Sequence, residues 1–383
     1  MYIRSLQARI TDLSKSWAVI SVTGPRQSGK TTLCKMAFPN YAYVNMEDIS
    51  TRSAIQTDLK GFLLSNRKGL IIDEAQHLPE LFPAIQVVVD EDDSLRYVIS
   101  GSSDFLLMKN ITQSLAGRVA VERLLPLSIE ELGDIKAIST DELMFSGFFP
   151  GVWGDNKSPS DVYGSYINTY IERDVRQFAN IKDRSTFLRF VTVCASRVGC
   201  EFNANAISGE IGVSYKTIQE WMSILEASYT AFLLYPYFRN VGKRLSKTPK
   251  IYFYDVGLVC FLLGIESPEQ LNRHPLRGAL FENMVICERL KSRYNNGKRS
   301  NLYFYRDKSQ HEVDLVQEYA MQLKAFEIKS AQSYHPDFAK NLDYFKLLYG
   351  DDVISTSVVY NGDFELQNSS NSIINYRNLN KIE

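Results

Sequence analysis

Apolar positions along this chain change period several times, and each change marks an element. Tyr2 to Lys15 places Ile3, Leu6, Ile10 and Leu13 on one helical stripe. The apolar run Ala18–Val22 reads as a strand, and after a glycine-containing turn Thr32–Met36 reads as the first turns of a helix. Ala42–Met46 is a short strand, Asp58–Asn66 a helical segment, and Gly69–Glu74 an apolar strand ending in two acids. Leu95–Ser103 is a further strand running out into small hydroxyl residues. Strands alternating with helices predict an α/β fold class for this part of the chain.

Turn-rich Phe145–Gly151 and the loose Gly154–Ser160 mark a boundary. Tyr163–Phe178 reads as a helix carrying Tyr166, Tyr170, Arg173 and Asp174, and three closely spaced helices follow between Thr186 and Leu234. Lys250–Asp255 is a strand and Val256–Leu263 starts an apolar helix. A helix at Gly278–Ser292 precedes strands at 302–305, 312–317 and 323–329, a helix at 338–348 and a strand at 353–360. Asn361 to Glu383 is an Asn-rich polar tail with no assigned chemistry. The predicted organisation is therefore residues 1–150, 151–245 and 246–383.

The chain is long enough, at 383 residues, for two or three domains with cores of their own. Its net charge of −1 means that any basic surface must be local. The 5 cysteines form no C-x-x-C pair and the 4 histidines no ligand cluster, which argues against a disulfide framework or a zinc site. The first ten residues lack a signal core, and Val256–Gly264 is too short to span a bilayer. No membrane role is expected, and the cytoplasm is the expected compartment.

Candidate chemistry starts at Gly24-Pro25-Arg26-Gln27-Ser28-Gly29-Lys30-Thr31, which fits G-x-x-x-x-G-K-[ST] between a strand and a helix. The glycines let the loop wrap so that backbone N–H groups, extending to Thr32, point at phosphates. Lys30 is expected between the β- and γ-phosphates of ATP, and Thr31 on Mg²⁺. Asp73, ending a buried strand, is expected to hold the hydrated Mg²⁺, and Glu74 to polarise the attacking water. Ser102 is a candidate for the γ-phosphate or its water. Arg118 is a candidate charge-stabilising finger, in cis or across a subunit boundary that would imply self-association, with Arg123 competing.

These phrases resemble AAA+ ATPases, specifically the bacterial and archaeal family that joins such a module to a C-terminal region of unknown function. "GPRQSGKTTL", "LIIDEAQHLP", "VISGSSDFLL" and "SLAGRVAVERLLPLS" occur in order, and "YINTYIERDV" and "KIYFYDVGL" also match. The resemblance implies a P-loop parallel sheet flanked by helices, with nucleotide at the strand C-terminal ends.

Ile207–Trp221 resembles a helix-turn-helix, in a winged-helix-like middle region. Ile207 and Ile211 lie one turn apart, Gly212 suits a left-handed turn, Ser214 an N-cap, and Ile218 and Trp221 the inner face. Tyr215, Lys216 and Gln219 would face outward, toward DNA in one reading and merely into solvent in the other, with Glu220 offsetting Lys216. Tyr235–Lys250 adds Arg239, Lys243, Arg244, Lys247 and Lys250 with no acid, and Arg289–Lys308 seven basic residues against Asp307. Both runs are expected to approach a phosphate backbone.

Helix, three strands, helix, strand resembles the PD-(D/E)xK nuclease-like fold. Glu282 on the helix, Asp314 within Val313–Val316, and Glu327-Ile328-Lys329 fall where that resemblance needs them. Alternation puts Glu327 and Lys329 on one strand face. Asp314 and Glu327 are then expected to hold Mg²⁺, with Lys329 helping to activate water. The leading expectation is an ATP-hydrolysing AAA+ protein that acts on DNA, with metal-dependent cleavage left open. Its rival is an ATP-driven switch or scaffold whose inactive nuclease-like domain binds protein partners.

Overall fold

The computed structural model describes residues 2–101, 104–154, 157–170, 183–367 and 371–381. Strands β1 (Val19–Thr23), β2 (Ala42–Asn45), β3 (Leu70–Asp73), β4 (Tyr97–Gly101) and β5 (Val119–Arg123) form a parallel sheet in the order β2-β3-β4-β1-β5. Period-two alternation gives this sheet two apolar faces. Val19, Ile72 and Ile99 join the core beneath the helix Leu81–Glu91, whereas Ile20, Val22, Ile71 and Val98 pack with Leu6, Ile10 and Leu33. A sheet buried on both sides needs near-continuous apolar strands, which is how β1, β3 and β4 read.

The predicted first helix is shorter than its apolar stripe, spanning Leu6–Leu13, and Ile3 stands 76% exposed outside it. Strand β5 and the helices Ile49–Thr57 and Leu81–Glu91 add to the predicted elements. β5 alternates Val119, Ala120, Val121, Glu122 with half-buried and buried positions, so its weak apolar signal fits a sheet edge.

In the middle region the helices Arg184–Ser196, Ala204–Ile211 and Tyr215–Ala227 enclose Phe187, Phe190 and Trp221, whose rings meet at 5.3–6.0 Å. Gly212 takes φ 82°, ending the second helix, and the Ser214 hydroxyl accepts from Thr217 N to start the third. Strand β6 (Ala231–Leu234) pairs antiparallel with β7 (Lys250–Phe253), and Glu201 bridges to Lys250. Of the predicted helix at 163–178, the part up to Tyr170 lies in the helix Pro159–Tyr170; Arg173 and Asp174 lie outside the described residues.

The C-terminal sheet contains β8 (Leu302–Arg306), β9 (Glu312–Tyr319), β10 (Gln322–Lys329), β11 (Val353–Tyr360) and β12 (Ser372–Asn375), ordered β12-β11-β10-β9-β8. The first three run antiparallel; β10, β11 and β12 run parallel. The helix Arg277–Asn295 covers one face with Phe281 and Leu290 over Leu315, Phe326 and Ile328, and Lys340–Tyr349 covers the other with Leu342 and Phe345. The polar tail is built into this domain: β12 adds a strand, and Tyr376 packs edge-on against Phe281 at 5.2 Å. One continuous apolar core runs from Leu125 to Leu379, so the middle and C-terminal parts share their packing.

Candidate functional site

The phosphate-loop motif bridges β1 and the helix Lys30–Ala37 at the C-terminal edge of the parallel sheet. Gly24 has φ 145°, and a Cβ there would lie 2.1 Å from the Leu124 carbonyl oxygen. Any side chain would push the loop off β5. Gly29 caps the helix at φ 90°. Gln27 also has positive φ, at 61°. Pro25 and Ser28 are buried, Arg26 is half-buried, and Gln27 and Thr32 are exposed.

Lys30 is buried, and its ammonium donates to the carbonyls of Gly24 (3.0 Å) and Pro25 (2.7 Å). Burial pushes it down to about 8, against the opposing pull of Glu74 and Asp73. Ser28 Oγ is buried with no hydrogen-bond partner among the described residues. The loop thus presents a desolvated cation and an idle hydroxyl, the donor set that a polyphosphate satisfies. ATP fits the residues present.

Asp73 gathers the surrounding strands. Its Oδ2 accepts from Thr31 Oγ1 (2.6 Å) and Tyr43 OH (3.1 Å), and its Oδ1 from Ser100 Oγ (2.5 Å) and Glu74 N (3.1 Å). Four donors hold a carboxylate beside the phosphate loop. The Thr31–Asp73 pair is a donor set suited to Mg²⁺. Glu74 follows in the left-handed region, φ 52°, with Gln76 Nε2 donating to its Oε2. A non-glycine residue held there at the edge of a candidate site is strained, and the Gln76 contact fixes its carboxylate.

Sequence reasoning missed three supports. Ser100 is the first, donating to Asp73 from β4, whereas Ser102, the expected hydroxyl, lies outside the described residues; the readable signal was a hydroxyl inside an apolar strand next to β3. Tyr43 is the second. Arg4 is the third: buried, it donates to the carbonyls of Ser28 (2.7 Å) and Leu125 (2.6 Å) and pairs with Glu131 at 3.0 Å. No local pattern announces a contact spanning so much sequence.

Arg118 stands elsewhere. Its carbonyl accepts from Val19 N, at the N-terminal edge of the sheet, and its guanidinium forms a two-point pair with Asp90 at 2.6 and 2.7 Å. A finger acting in cis on the loop is incompatible with that placement. Arg123 lies at the phosphate-side end of β5, with its guanidinium 5.2 Å from the Tyr294 ring centre.

The C-terminal residues meet, but not as expected. Lys329 pairs with Glu327 (2.6 Å) and Asp314 (3.7 Å), and Asp314 Oδ2 accepts from Ile328 N at 2.7 Å. Lys250 pairs with Glu312 (2.5 Å) and Glu282 (3.5 Å), and Tyr252 OH donates to Glu282. Burial, then the neighbouring Asp314 charge, raises Glu282 to about 7 and Glu327 to about 8. Burial also raises Asp314. Among the described residues no group of three or more His, Cys, Asp or Glu is placed to hold a metal ion. The carboxylates of Asp314 and Glu327, expected to hold Mg²⁺, meet here with the Lys329 ammonium between them. Lys250, Tyr252 and Glu312 were not foreseen in this cluster.

Part of each basic run is likewise paired within the structure. Arg244 forms a two-point pair with Glu318 at 2.7 and 2.8 Å, and Arg239 pairs with Asp352 at 2.6 Å. Lys291 is buried against Glu288 at 2.7 Å, and Arg306 pairs with Glu201 and Glu312. Arg244, Arg239 and Arg306 thereby find acids from distant segments, whereas Lys291 finds its acid one turn back on its own helix. On the helix Tyr215–Ala227, Tyr215, Lys216 and Gln219 are exposed as expected, with Gln219 Nε2 donating to Tyr215 OH and Lys216 3.9 Å from Glu220. No helix among the described residues is long and apolar enough to cross a membrane.

Three family models match the chain. Residues 16–133 match the AAA domain family, 138–269 the domain of unknown function DUF8612, and 277–379 the domain of unknown function DUF4143. The uncharacterized protein Rv2008c of Mycobacterium tuberculosis is 32% identical over 330 residues, covering 85% of this chain and 73% of its own. Mb2031c of Mycobacterium bovis gives the same figures. MJ1544 of Methanocaldococcus jannaschii is 24% identical over 328 residues, covering 77% and 71%. Among solved structures, the Walker-type ATPase PABY2304 of Pyrococcus abyssi aligns with a TM-score of 0.47 at 12% identity, over 68% of this chain and 96% of that one. The first domain is an AAA-type, ATPase-like P-loop module.

Proposed function

The chain belongs to the same family as the mycobacterial proteins Rv2008c and Mb2031c, and we propose that it is an ATP hydrolase whose turnover is coupled to DNA engaged by its middle region. The observation that carries the hydrolase reading is the four-donor hold on Asp73 beside an uncompensated Lys30. In this reading Lys30 and the loop N–H groups bind phosphate, Thr31 and Asp73 hold Mg²⁺, and Glu74 orients and deprotonates water. Bound Mg²⁺ supplies neutralisation of phosphate charge. Ser100 and Tyr43 keep Asp73 aimed, and Gln76 restrains Glu74.

Coupling is supported by one contact. Tyr229, buried just after the third helix-turn-helix helix at φ 55°, places its hydroxyl 2.9 Å from Thr23 Oγ1, the last residue before the phosphate loop. A shift of that loop therefore reaches the helix that exposes Tyr215, Lys216 and Gln219. Lys30→Ala should abolish ATP turnover. Retained turnover sinks the hydrolase assignment, and turnover indifferent to DNA at low salt sinks the coupling.

A second reading is favoured by the neutralised acids of the C-terminal domain. With Lys250 and Lys329 paired to Glu282, Glu312, Glu327 and Asp314, that domain would serve as a protein-binding scaffold rather than a nuclease. Incubating DNA with Mg²⁺ or Mn²⁺ separates the two. Cleavage lost in Asp314→Ala and Lys329→Ala rejects the scaffold reading, and its absence in the wild type supports it.

A further inference from the structure

Beside the phosphate loop, at the C-terminal edge of the parallel sheet, one buried side-chain carbonyl stands without a donor. Gln76 is 9% exposed, and its Oε1 has no hydrogen-bond partner among the described residues. The residue sits in the short turn Ala75–His77 that follows β3. Glu74 enters that turn at φ 52°, and His77 N then donates to the Glu74 carbonyl and Leu78 N to that of Ala75, each at 3.1 Å. Ala75 and Leu78 are buried in the core beneath the helix Leu81–Glu91. Gln76 is therefore carried on an anchored turn rather than on a loose loop.

The direction of the amide follows from its neighbours. Its Nε2 donates to Glu74 Oε2. A carboxylate accepts and does not donate, so turning the amide over would set its carbonyl against that oxygen. Oε1 is thereby aimed at the end of β4, where a Cβ on Gly101 would lie 2.4 Å from it. Gly101 does not have positive φ, so glycine is needed there for room rather than for backbone shape. Gly101 pairs in register with Thr23, the residue that leads into the phosphate loop, and its neighbour Ser100 donates to Asp73. The amide thus reaches from Glu74, at the end of β3, to the strand lying between β3 and β1. A buried carbonyl left without a donor costs free energy, and such groups are kept where function needs them.

We propose that Gln76 orients the water that attacks ATP, acting as the second of two acceptors beside Glu74; this role rests on the hydrolase reading. Glu74 accepts one O–H of the water and Gln76 Oε1 the other, which leaves the oxygen lone pair facing the phosphate loop. The water oxygen bonds to the γ-phosphorus while the bond from that phosphorus to the oxygen bridging to ADP breaks. One water proton passes to Glu74, the other stays with the inorganic phosphate, and ADP leaves with the bridging oxygen. A single amide, fixed between base and β4, keeps the base and the water aligned.

The test compares the full-length wild type with Gln76→Met, which keeps the volume and removes both polar ends of the side chain. Phosphate release at saturating ATP, ATP affinity by filter binding, and thermal unfolding are measured together. The kcat should fall about 10²-fold, as loss of one preorganised polar contact at a reacting centre does, with ATP affinity unchanged. The melting temperature should hold or rise, because an unsatisfied buried carbonyl has gone, whereas loss of a mere brace would lower it. Gly101→Ala drives a methyl group into the place of Oε1 and should lower kcat as well. In Gln76→Met/Gly101→Ala the two losses should not add, since both act at one atom and the methionine is flexible enough to yield. Wild-type kcat in Gln76→Met, with Glu74→Gln inactive, overturns this inference alone. Turnover retained in Glu74→Gln removes the base and overturns it together with the hydrolase chemistry. Losses that add in full in the double variant also overturn it, because Gly101 would then act apart from Gln76.

Discussion

The parallel sheet and the mixed sheet each bring lysines and carboxylates together, yet they treat charge in opposite ways. Beside the phosphate loop, Lys30 rests on carbonyl oxygens while Asp73 is held by hydroxyls and a backbone N–H. Neither charge cancels the other, and both remain to be answered by a ligand. In the C-terminal domain, Lys329 and Lys250 lie directly on the acids, so two ammonium groups answer part of the charge of four carboxylates. Glu327 Oε2 is the remainder, buried without a hydrogen-bond partner among the described residues. Desolvation makes the first arrangement costly unless something binds, whereas internal pairing relieves most of that cost in the second. Shared residue types therefore do not imply shared chemistry.

The largest expected effect tests the first half of that contrast. Glu74→Gln should lower ATP turnover by about 10²–10⁴-fold while ATP binding survives, because it removes a base and leaves the loop intact. Filter binding alongside phosphate release checks this, and unchanged turnover would remove Glu74 from the chemistry. Next is Arg4→Met. It leaves the buried Glu131 carboxylate unpaired and frees the Ser28 carbonyl, so a stability loss of about 3–5 kcal/mol is expected by urea unfolding.

The second half is tested by pH. Glu282 at about 7 and Glu327 at about 8 bind protons more tightly when folded than at their ordinary 4.5. Over roughly pH 4.5 to 8 the folded state therefore carries more protons than the unfolded one, and these groups lower stability as pH rises. Glu327→Gln should flatten that slope and raise the melting temperature at pH 8 by about 1 °C, the shift that about 1 kcal/mol gives a protein of this length. A variant less stable than wild type at pH 8 would mean that its pairing with Lys329 outweighs burial. The smallest effect concerns the link between regions. Tyr229→Phe removes one hydrogen bond, costing about 1 kcal/mol, and should reduce DNA stimulation of ATPase more than basal turnover.

Legibility in the sequence followed the range of the interactions. The phosphate loop, the apolar strand ending in Asp73-Glu74, and the Gly212–Ser214 turn could be read because each depends on neighbours a few residues away. Glycine at positive φ, a capping hydroxyl and strand alternation are local rules. The C-terminal element order was legible for the same reason, whereas β5 and β12 were not, since each is a short edge strand whose pattern is set by its partner.

What the sequence determined by itself is the set of elements and the presence of a loop shaped for polyphosphate. Tertiary structure alone decided which charges are left over. It placed Arg118 at the edge of the parallel sheet away from the loop, gave Arg244 to Glu318 and Lys250 to Glu312, and set Arg4 behind the phosphate loop. Net charge and charge runs are sums along the chain, but the energy of a charge depends on what surrounds it in space. The partners that decide it here come from segments tens to more than a hundred residues apart.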